Sequence, residues 1–217
     1  MPQWDPSPIW DGEDAYIVGG GPSLQTFDWD LIRGKNTIGC NGAFILGVGI
    51  IKILLFADVV WWQKIGKPGT QEFGGMVVGC MSKNHNKKED CSWLLTMERA
   101  SGRSLGTDTL CLAGNTGAMA INLALILGAR RVFLLGFDMK LSKENKANWH
   151  DVRHEPPNRQ SYPMFLRSFE WFGKSIPKVF PGCEVHNVTE DSNLDVFPKV
   201  SIVKHFNLEG VKNVSAS

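Results

Sequence analysis

The stretch from Gly114 to Asp138 constrains the fold more tightly than any other. Gly114-Asn115-Thr116-Gly117 opens a run of helix-forming residues from Ala118 to Leu127, and Gly128 closes it. Arg130-Arg131 then lead into Val132-Phe133-Leu134-Leu135, which stops at Gly136-Phe137-Asp138. A glycine after an apolar helical run suits the left-handed residue that ends a helix. A short apolar run between turn signals fits a strand buried on both faces. Loop, helix, glycine, strand and Gly-x-Asp together make one half of an α/β winding.

The same grammar recurs along the chain. Ala15-Tyr16-Ile17-Val18 is an apolar run that stops at Gly19-Gly20-Gly21. Pro22 and Ser23 then read as a helix start, Ser23 capping it, with the helix running to Arg33. Asn36–Cys40 is a second strand ending at Asn41-Gly42, and residues 51–57 are a third ending at Asp58. A short helix is expected over 61–71, weaker strands over 76–80 and 93–97, a helix over 162–175 and a late strand over 184–188. The Lys-rich segment 82–90 reads as an exposed loop. These elements predict an α/β, Rossmann-like fold, with a mostly parallel sheet and helices on both faces. The expectation is a single nucleotide-binding domain over residues 1–217, its core about 15–190, with an irregular N-terminal lead-in and a C-terminal tail.

Composition narrows the function classes. Lys plus Arg total 23 and Asp plus Glu total 22, a formal net charge of +1. That balance supports neither a strongly basic nucleic-acid surface nor an acidic solvating tail. The five cysteines are widely spaced and none forms a CxxC pair, so a zinc ribbon is excluded and reduced buried thiols are expected. The N-terminus, Met1-Pro2-Gln3-Trp4-Asp5, has no secretory pattern. The longest apolar stretch, Ala43–Val60, is broken by Gly47, Gly49, Lys52 and Asp58, so no membrane span is expected. A cytoplasmic protein fits these features. A homo-oligomer is compatible with them but not read from them.

In open parallel sheets, ligands bind at the carboxyl ends of the strands. Several polar signals fall there: Gly19–Ser23, Cys40-Asn41, Asp58, Asp138 and Asn187. The Gly19-Gly20-Gly21-Pro22-Ser23 turn would let a phosphate or ribose approach the backbone. It is not the dinucleotide fingerprint, since Leu24 stands where that motif wants glycine and no acid ends the second strand. Nor is it a Walker A loop. Asn115-Thr116-Gly117 offers an amide, a hydroxyl and bare backbone to a ribose, base edge or phosphate. The competing reading of both turns is ordinary capping and tight βα connection. Asp58 and Asp138 could bind Mg²⁺ together with substrate phosphates, or cap turns. His150 and His154, in Trp149-His150-Asp151-Val152-Arg153-His154-Glu155, are candidate general bases, with Arg153 and Arg159 nearby for an anion. No H-E-x-x-H occurs, and Pro156-Pro157 follow at once, which argues against a zinc site.

The order Val18-Gly19-Gly20-Gly21-Pro22-Ser23-Leu24, Gly39-Cys40-Asn41, Asn115-Thr116-Gly117 and Val132–Asp138 resembles the bacterial family 42 sialyltransferases. It also resembles the related domain of unknown function 115 group, which includes archaeal 6-hydroxymethylpterin diphosphokinases and small phage-encoded proteins. The resemblance spans roughly residues 15–190. It implies that Gly19, Gly21, Pro22, Ser23, Asn41, Thr116 and Gly117 hold a cytidine-monophosphate sugar without metal, and that His150 or His154 is the general base. The paired tyrosines of that family have no clear counterpart here, the chain having only Tyr16 and Tyr162. The diphosphokinase branch implies Mg²⁺ and ATP, with Asp58 and Asp138 as the matching acids.

The expected function is therefore that of a glycosyltransferase-like enzyme without a cofactor, moving a group from a nucleotide sugar to a hydroxyl acceptor. The expected nucleotide-binding set is Gly19, Gly20, Gly21, Pro22, Ser23, Asn41, Asn115, Thr116, Gly117 and Asp138. A Mg²⁺-dependent pyrophosphokinase and a non-catalytic nucleotide-binding or structural module are the alternatives.

Overall fold

The computed structural model describes residues 4–80, 91–97, 105–111, 114–152 and 159–207. Seven strands among them form one parallel sheet: β1 Asp14–Val18, β2 Asn36–Cys40, β3 Ile53–Phe56, β4 Met76–Gly79, β5 Leu94–Thr96, β6 Arg131–Leu135 and β7 Glu184–Asn187. Their order is β5-β4-β3-β2-β1-β6-β7. The chain winds outward from β1 to one edge, then returns to lay β6 on the other side of β1. The pairing Tyr16↔Phe133 continues to Val18↔Leu135, so the ends of β1 and β6 lie side by side. Reversal of the winding at β1 and β6 creates the crevice in which such sheets take ligands.

Short apolar runs became strands because both sheet faces are covered. On one face Ala15, Ile17, Ile38, Ile53, Leu55, Val132 and Leu134 pack under two helices, Thr116–Ile126 and Tyr162–Val179. Every residue of the first helix from Ala118 to Ile126 is buried. Its one internal polar side chain, Asn122, accepts from Cys111 N–H at 2.9 Å and donates to the Gly106 carbonyl at 2.9 Å. Gly128 ends the helix at φ +92°, with Ala129 N–H bonding the Ala124 carbonyl and Gly128 N–H the Leu125 carbonyl. This double bond pattern is the Schellman stop. The longer helix buries Phe169, Phe172 and Ile176 at three- and four-residue spacing, which fixes its inner stripe.

The opposite face is covered differently from expectation. Residues 22–33 form two 3₁₀ turns, Pro22–Thr26 and Trp29–Ile32, rather than one helix. Phe27 between them is extended (φ −72°, ψ 135°), and the capping position falls to Gly21, which offers no side-chain bond. Ser23 is not a cap: its hydroxyl and its amide both turn to Asp138. The helix expected over 61–71 starts at Val59, where the Asp58 carboxylate accepts from the amides of Val60 (2.8 Å) and Trp61 (3.1 Å). It passes through a π turn at Trp62–Gly66, stacking the Trp62 ring on Phe56 at 4.6 Å. The Ser82–Asp90 loop, Arg153 and His154 lie outside the described residues.

Among the described residues, no helix is long and apolar enough to cross a membrane.

Candidate functional site

A cavity of about 410 Å³ opens at the carboxyl ends of β1, β2, β3 and β6. Its polar wall is Gly19 and Gly20 after β1, Asn41 after β2, Asp58 after β3, and Asn115, Thr116 and Gly117 at the helix start. Its apolar wall is Phe137 and Met139 after β6, with Phe165 and Phe169 from the long helix. The two turns singled out in the sequence thus share one hollow. The side chains of the described residues do not fill it.

Gly21, Pro22, Ser23 and Asp138 do not line this cavity. They lie behind it and hold its floor. Gly19 and Gly21 donate their amides to the carbonyls of Leu135 and Gly136, both at 2.8 Å. The Asp138 carboxylate accepts from Ser23 N–H at 3.0 Å and Ser23 Oγ–H at 2.8 Å. Most amides of the first turn are therefore spent on joining β1 to β6. The Gly20 N–H is the one that donates to no other described group in this turn. A β-carbon on Gly19 would lie 2.7 Å from the Gly136 carbonyl, and one on Gly21 would collide with Asp138 Oδ2. Glycine is required here by close approach of the two strand ends, whatever the ligand.

Two polar atoms in the cavity wall lack partners among the described residues. Asn41 Oδ1 and Asn115 Nδ2 are buried and make no hydrogen bond. The other polar atom of the Asn115 amide, its oxygen, caps the helix, accepting from Ala118 N–H at 2.7 Å. Asn41 stands at φ +49°, a left-handed conformation that asparagine tolerates better than most residues. A buried unpaired donor or acceptor costs about 1–3 kcal/mol. One acceptor and one donor left open in a single hollow are what a ligand with both kinds of group would satisfy. The start of the eleven-residue helix adds the partial positive charge that favours a phosphate. Cys40 beside them stays a neutral thiol, pushed up to about 12 by burial.

The loop after Asp138 is fastened to the first turn. Trp149 donates its amide to the Gly20 carbonyl and its Nε1–H to the Gly19 carbonyl, both at 3.0 Å. Its ring packs on Trp29 at 5.0 Å and meets His150 edge-on at 4.7 Å. His150 is thereby brought against Gly42, next to Asn41, although it does not line the cavity. Its Nδ1 accepts from Val152 N–H at 3.2 Å. Trp149 was given no site role by sequence reasoning, nor were Phe137, Met139, Phe165 and Phe169. The four-residue spacing of Phe165 and Phe169 was a legible sign of an inner helix face. Nothing local marks Trp149.

Asp58 and Asp138 do not form a cation pair facing the cavity. Both oxygens of Asp138 are taken by Ser23, and Asp58 caps the following helix. Burial pushes the Asp138 carboxyl above its ordinary value, partly offset by the two Ser23 bonds. No group of three or more metal-ligating side chains occurs among the described residues. Asp138 therefore does not stand beside Asp58 in the cavity wall, as the pyrophosphokinase reading expects. Asn187, the last strand-end signal, is wholly buried and satisfied by Ser192, Leu194 and Thr189.

No family model matches the chain, and no curated protein matches it by sequence. Its fold has solved counterparts. The sialyltransferase CstII from Campylobacter jejuni, in complex with the substrate analogue CMP-3FNeuAc, superimposes with a TM-score of 0.53 at 13% identity, over 86% of this chain and 85% of that one. The monofunctional α-2,3-sialyltransferase Cst-I from the same organism gives 0.55 at 14% identity, over 87% and 80%. A single-residue variant of the sialyltransferase CST-II in complex with CMP gives 0.52 at 12% identity, over 87% and 86%. The seven-stranded sheet thus has the fold of these sialyltransferases.

Proposed function

We propose that the chain is a glycosyltransferase-like enzyme that takes a nucleoside-monophosphate-linked sugar as donor and a hydroxyl as acceptor. The observation that carries this reading is the pair of unpartnered buried groups, Asn41 Oδ1 and Asn115 Nδ2, in one cavity at the β1/β6 crevice. The fold shared with sialyltransferases, one of them in complex with CMP, makes cytidine the first base to test.

In this reading Asn41, Asn115 and the Gly20 amide hold the nucleoside, while Thr116, Gly117 and the helix start hold the phosphate. Gly19, Gly21, Pro22, Ser23 and Asp138 keep these groups in place. In the transfer, an acceptor oxygen bonds to the anomeric carbon of the sugar. The bond from that carbon to the phosphate oxygen breaks, and its electron pair leaves with the nucleoside monophosphate. The acceptor proton goes to a histidine. His150, whose Nδ1 accepts from Val152 N–H at 3.2 Å, and His154 are the two candidates for that role. The residues of this reading need no metal for any of these steps.

The test is calorimetric titration with cytidine, uridine, guanosine and adenosine monophosphates in the presence of EDTA, repeated on Asn41→Gly. Glycine suits the left-handed backbone and removes the side chain with its amide. One nucleotide should bind, and Asn41→Gly should weaken it about 2- to 10-fold, the value of one hydrogen bond. If no nucleotide binds, or if binding needs Mg²⁺, the reading fails.

A further inference from the structure

The segment 198–207 lies on the sheet face opposite the two helices. Its start is tied to β7: Asn187 N–H bonds the Pro198 carbonyl at 2.9 Å, and Val200 N–H bonds the Asn187 carbonyl at 3.0 Å. Its end, the short helix Ile202–His205 and Phe206, reaches β1 and β6. The His205 ring packs on Phe133 at 4.0 Å, and its Nε2 shares a hydrogen bond with the Tyr16 hydroxyl at 3.0 Å. Phe206 stacks on Tyr16 at 5.9 Å. We propose that this segment is a strap that positions the loop carrying Trp149 and His150, and that acid loosens it.

The first support is a file of touching rings between the strap and that loop. Phe206 meets Phe27 edge-on at 6.5 Å, and Phe27 meets Trp29 edge-on at 5.0 Å. Trp29 packs on Trp149 at 5.0 Å, and Trp149 meets His150 at 4.7 Å. These separations fall in the range where aromatic pairs attract. Phe27 and Trp29 sit in or beside short 3₁₀ turns, so their rings are fixed by neighbours more than by their own backbone. Trp149 ends the file by holding the Gly19 and Gly20 carbonyls, and both glycines line the ligand hollow. Phe206, Phe27 and Trp29 touch the hollow nowhere in its described lining and act on it through Trp149.

The second support is the company His205 keeps. Asp14 and Tyr16 face it from β1, Lys35 from the turn before β2, Arg131 from β6 and His186 from β7. Arg131 is already paired with Asp14, and His186 with Glu184. On the strap itself Lys204 is adjacent, and Ser201 donates to Glu190 at 2.8 Å. The 3₁₀ segment meets the strap through Phe27. Tyr16 stays protonated throughout, its hydroxyl pushed up to about 12 by burial. Burial also pushes His205 below the ordinary histidine value; Arg131, Lys35 and His186 push the same way, and Asp14 opposes them. The docked strap thus binds fewer protons than the released one. Its hold is complete above the ordinary histidine value and weakens as pH falls through that value toward the docked one.

The experiment is amide hydrogen exchange on the whole chain, corrected for the intrinsic pH dependence of exchange, from about pH 7.5 to about pH 5. The amides of His205 and Phe206 bond the carbonyls of Ser201 and Ile202 at 2.9 and 3.0 Å and report the strap; the Trp149 amide reports the loop. In acid, opening should rise together at these positions by about two- to tenfold, while the amides of β6 stay protected. His205→Gln should abolish the rise. Phe206→Ala should raise opening at His205 and Trp149 at every pH, and in a Trp29→Leu background it should add nothing at Trp149. Should either of these variants misfold, wild type against His205→Gln decides. If the strap opens in acid and Trp149 does not, the positioning role is overturned. If opening is independent of pH, or β6 opens by the same factor, the acid release is overturned. Cytidine monophosphate should by reciprocity slow exchange at His205 and Phe206, and this arm alone rests on the donor reading. A nucleotide that binds without slowing them overturns the positioning role. If none binds, the donor reading falls, and the exchange comparisons still decide the strap.

Discussion

Ser23→Ala tests the joint on which the site is built. The serine hydroxyl donates to Asp138 Oδ2 at 2.8 Å, and its amide donates to Oδ1 at 3.0 Å. Asp138 is 5% exposed, so water replaces a lost donor poorly. A hydrogen bond to a charged group contributes about 1.5–3 kcal/mol. Ser23 itself faces solvent, which argues for the lower half of that range, about 1.5–2 kcal/mol. For a chain of this size that is a fall in Tm of roughly 3–8 °C. The loss also depends on pH. Burial already holds the Asp138 carboxyl above its ordinary value. Between the unfolded and folded values the native state binds more protons, so this group's contribution is fully present below the unfolded value and is lost as pH rises through the folded one. Removing the hydroxyl raises the folded value further, because a donor to the ionised form has gone. The deficit of the variant should therefore be smallest in acid, grow as pH rises above the ordinary carboxylate range, and level off once the folded carboxyl is ionised in both proteins. Urea unfolding followed by tryptophan fluorescence across that range measures it. A deficit that is the same at every pH, or below about 0.5 kcal/mol at neutrality, would refute the view that Ser23 stabilises a buried carboxylate.

Two further outcomes are expected. Trp149→Phe keeps an aromatic ring against Trp29 but deletes the Nε1–H bond to Gly19; it should cost about 0.5–1.5 kcal/mol and speed amide exchange at residues 148–150, and unchanged exchange would mean the bond does not hold the loop. Replacing both His150 and His154 by alanine should lower turnover by about 10²–10⁴-fold with nucleotide affinity retained; unchanged single-turnover kinetics in the double variant would remove the base assignment.

Much of the scaffold was legible because buried parallel strands read as unbroken apolar runs. Val132–Leu135 and Ala15–Val18 are each recognisable from their own residues and the turn signals after them. The stop at Gly128 was equally plain. What could not be read is whatever depends on distant partners. Ser23 looks like a helix cap, yet its partner lies 115 residues away. The same contact explains why Gly21, Pro22, Ser23 and Asp138, though rightly grouped, form the support of the cavity and not its lining. Asp58 and Asp138 are alike on paper, each ending an apolar strand. One caps the next helix and the other clasps Ser23, and only the strand order separates these roles. Trp149 is invisible for the same reason, since both carbonyls it holds belong to the first turn.

The position of β1 inside the sheet has a consequence for the order of assembly. Its neighbour β2 follows within the next 22 residues, but its other neighbour begins only at Arg131. A chain emerging from the ribosome thus carries β1 for a long interval as a bare, apolar rim, open to pairing with another nascent molecule. Over that interval Gly19 and Gly21 have no carbonyls to hold them, and the ligand hollow has no floor. Competence to bind would arrive late in synthesis and all at once, when the Arg131 strand slots in.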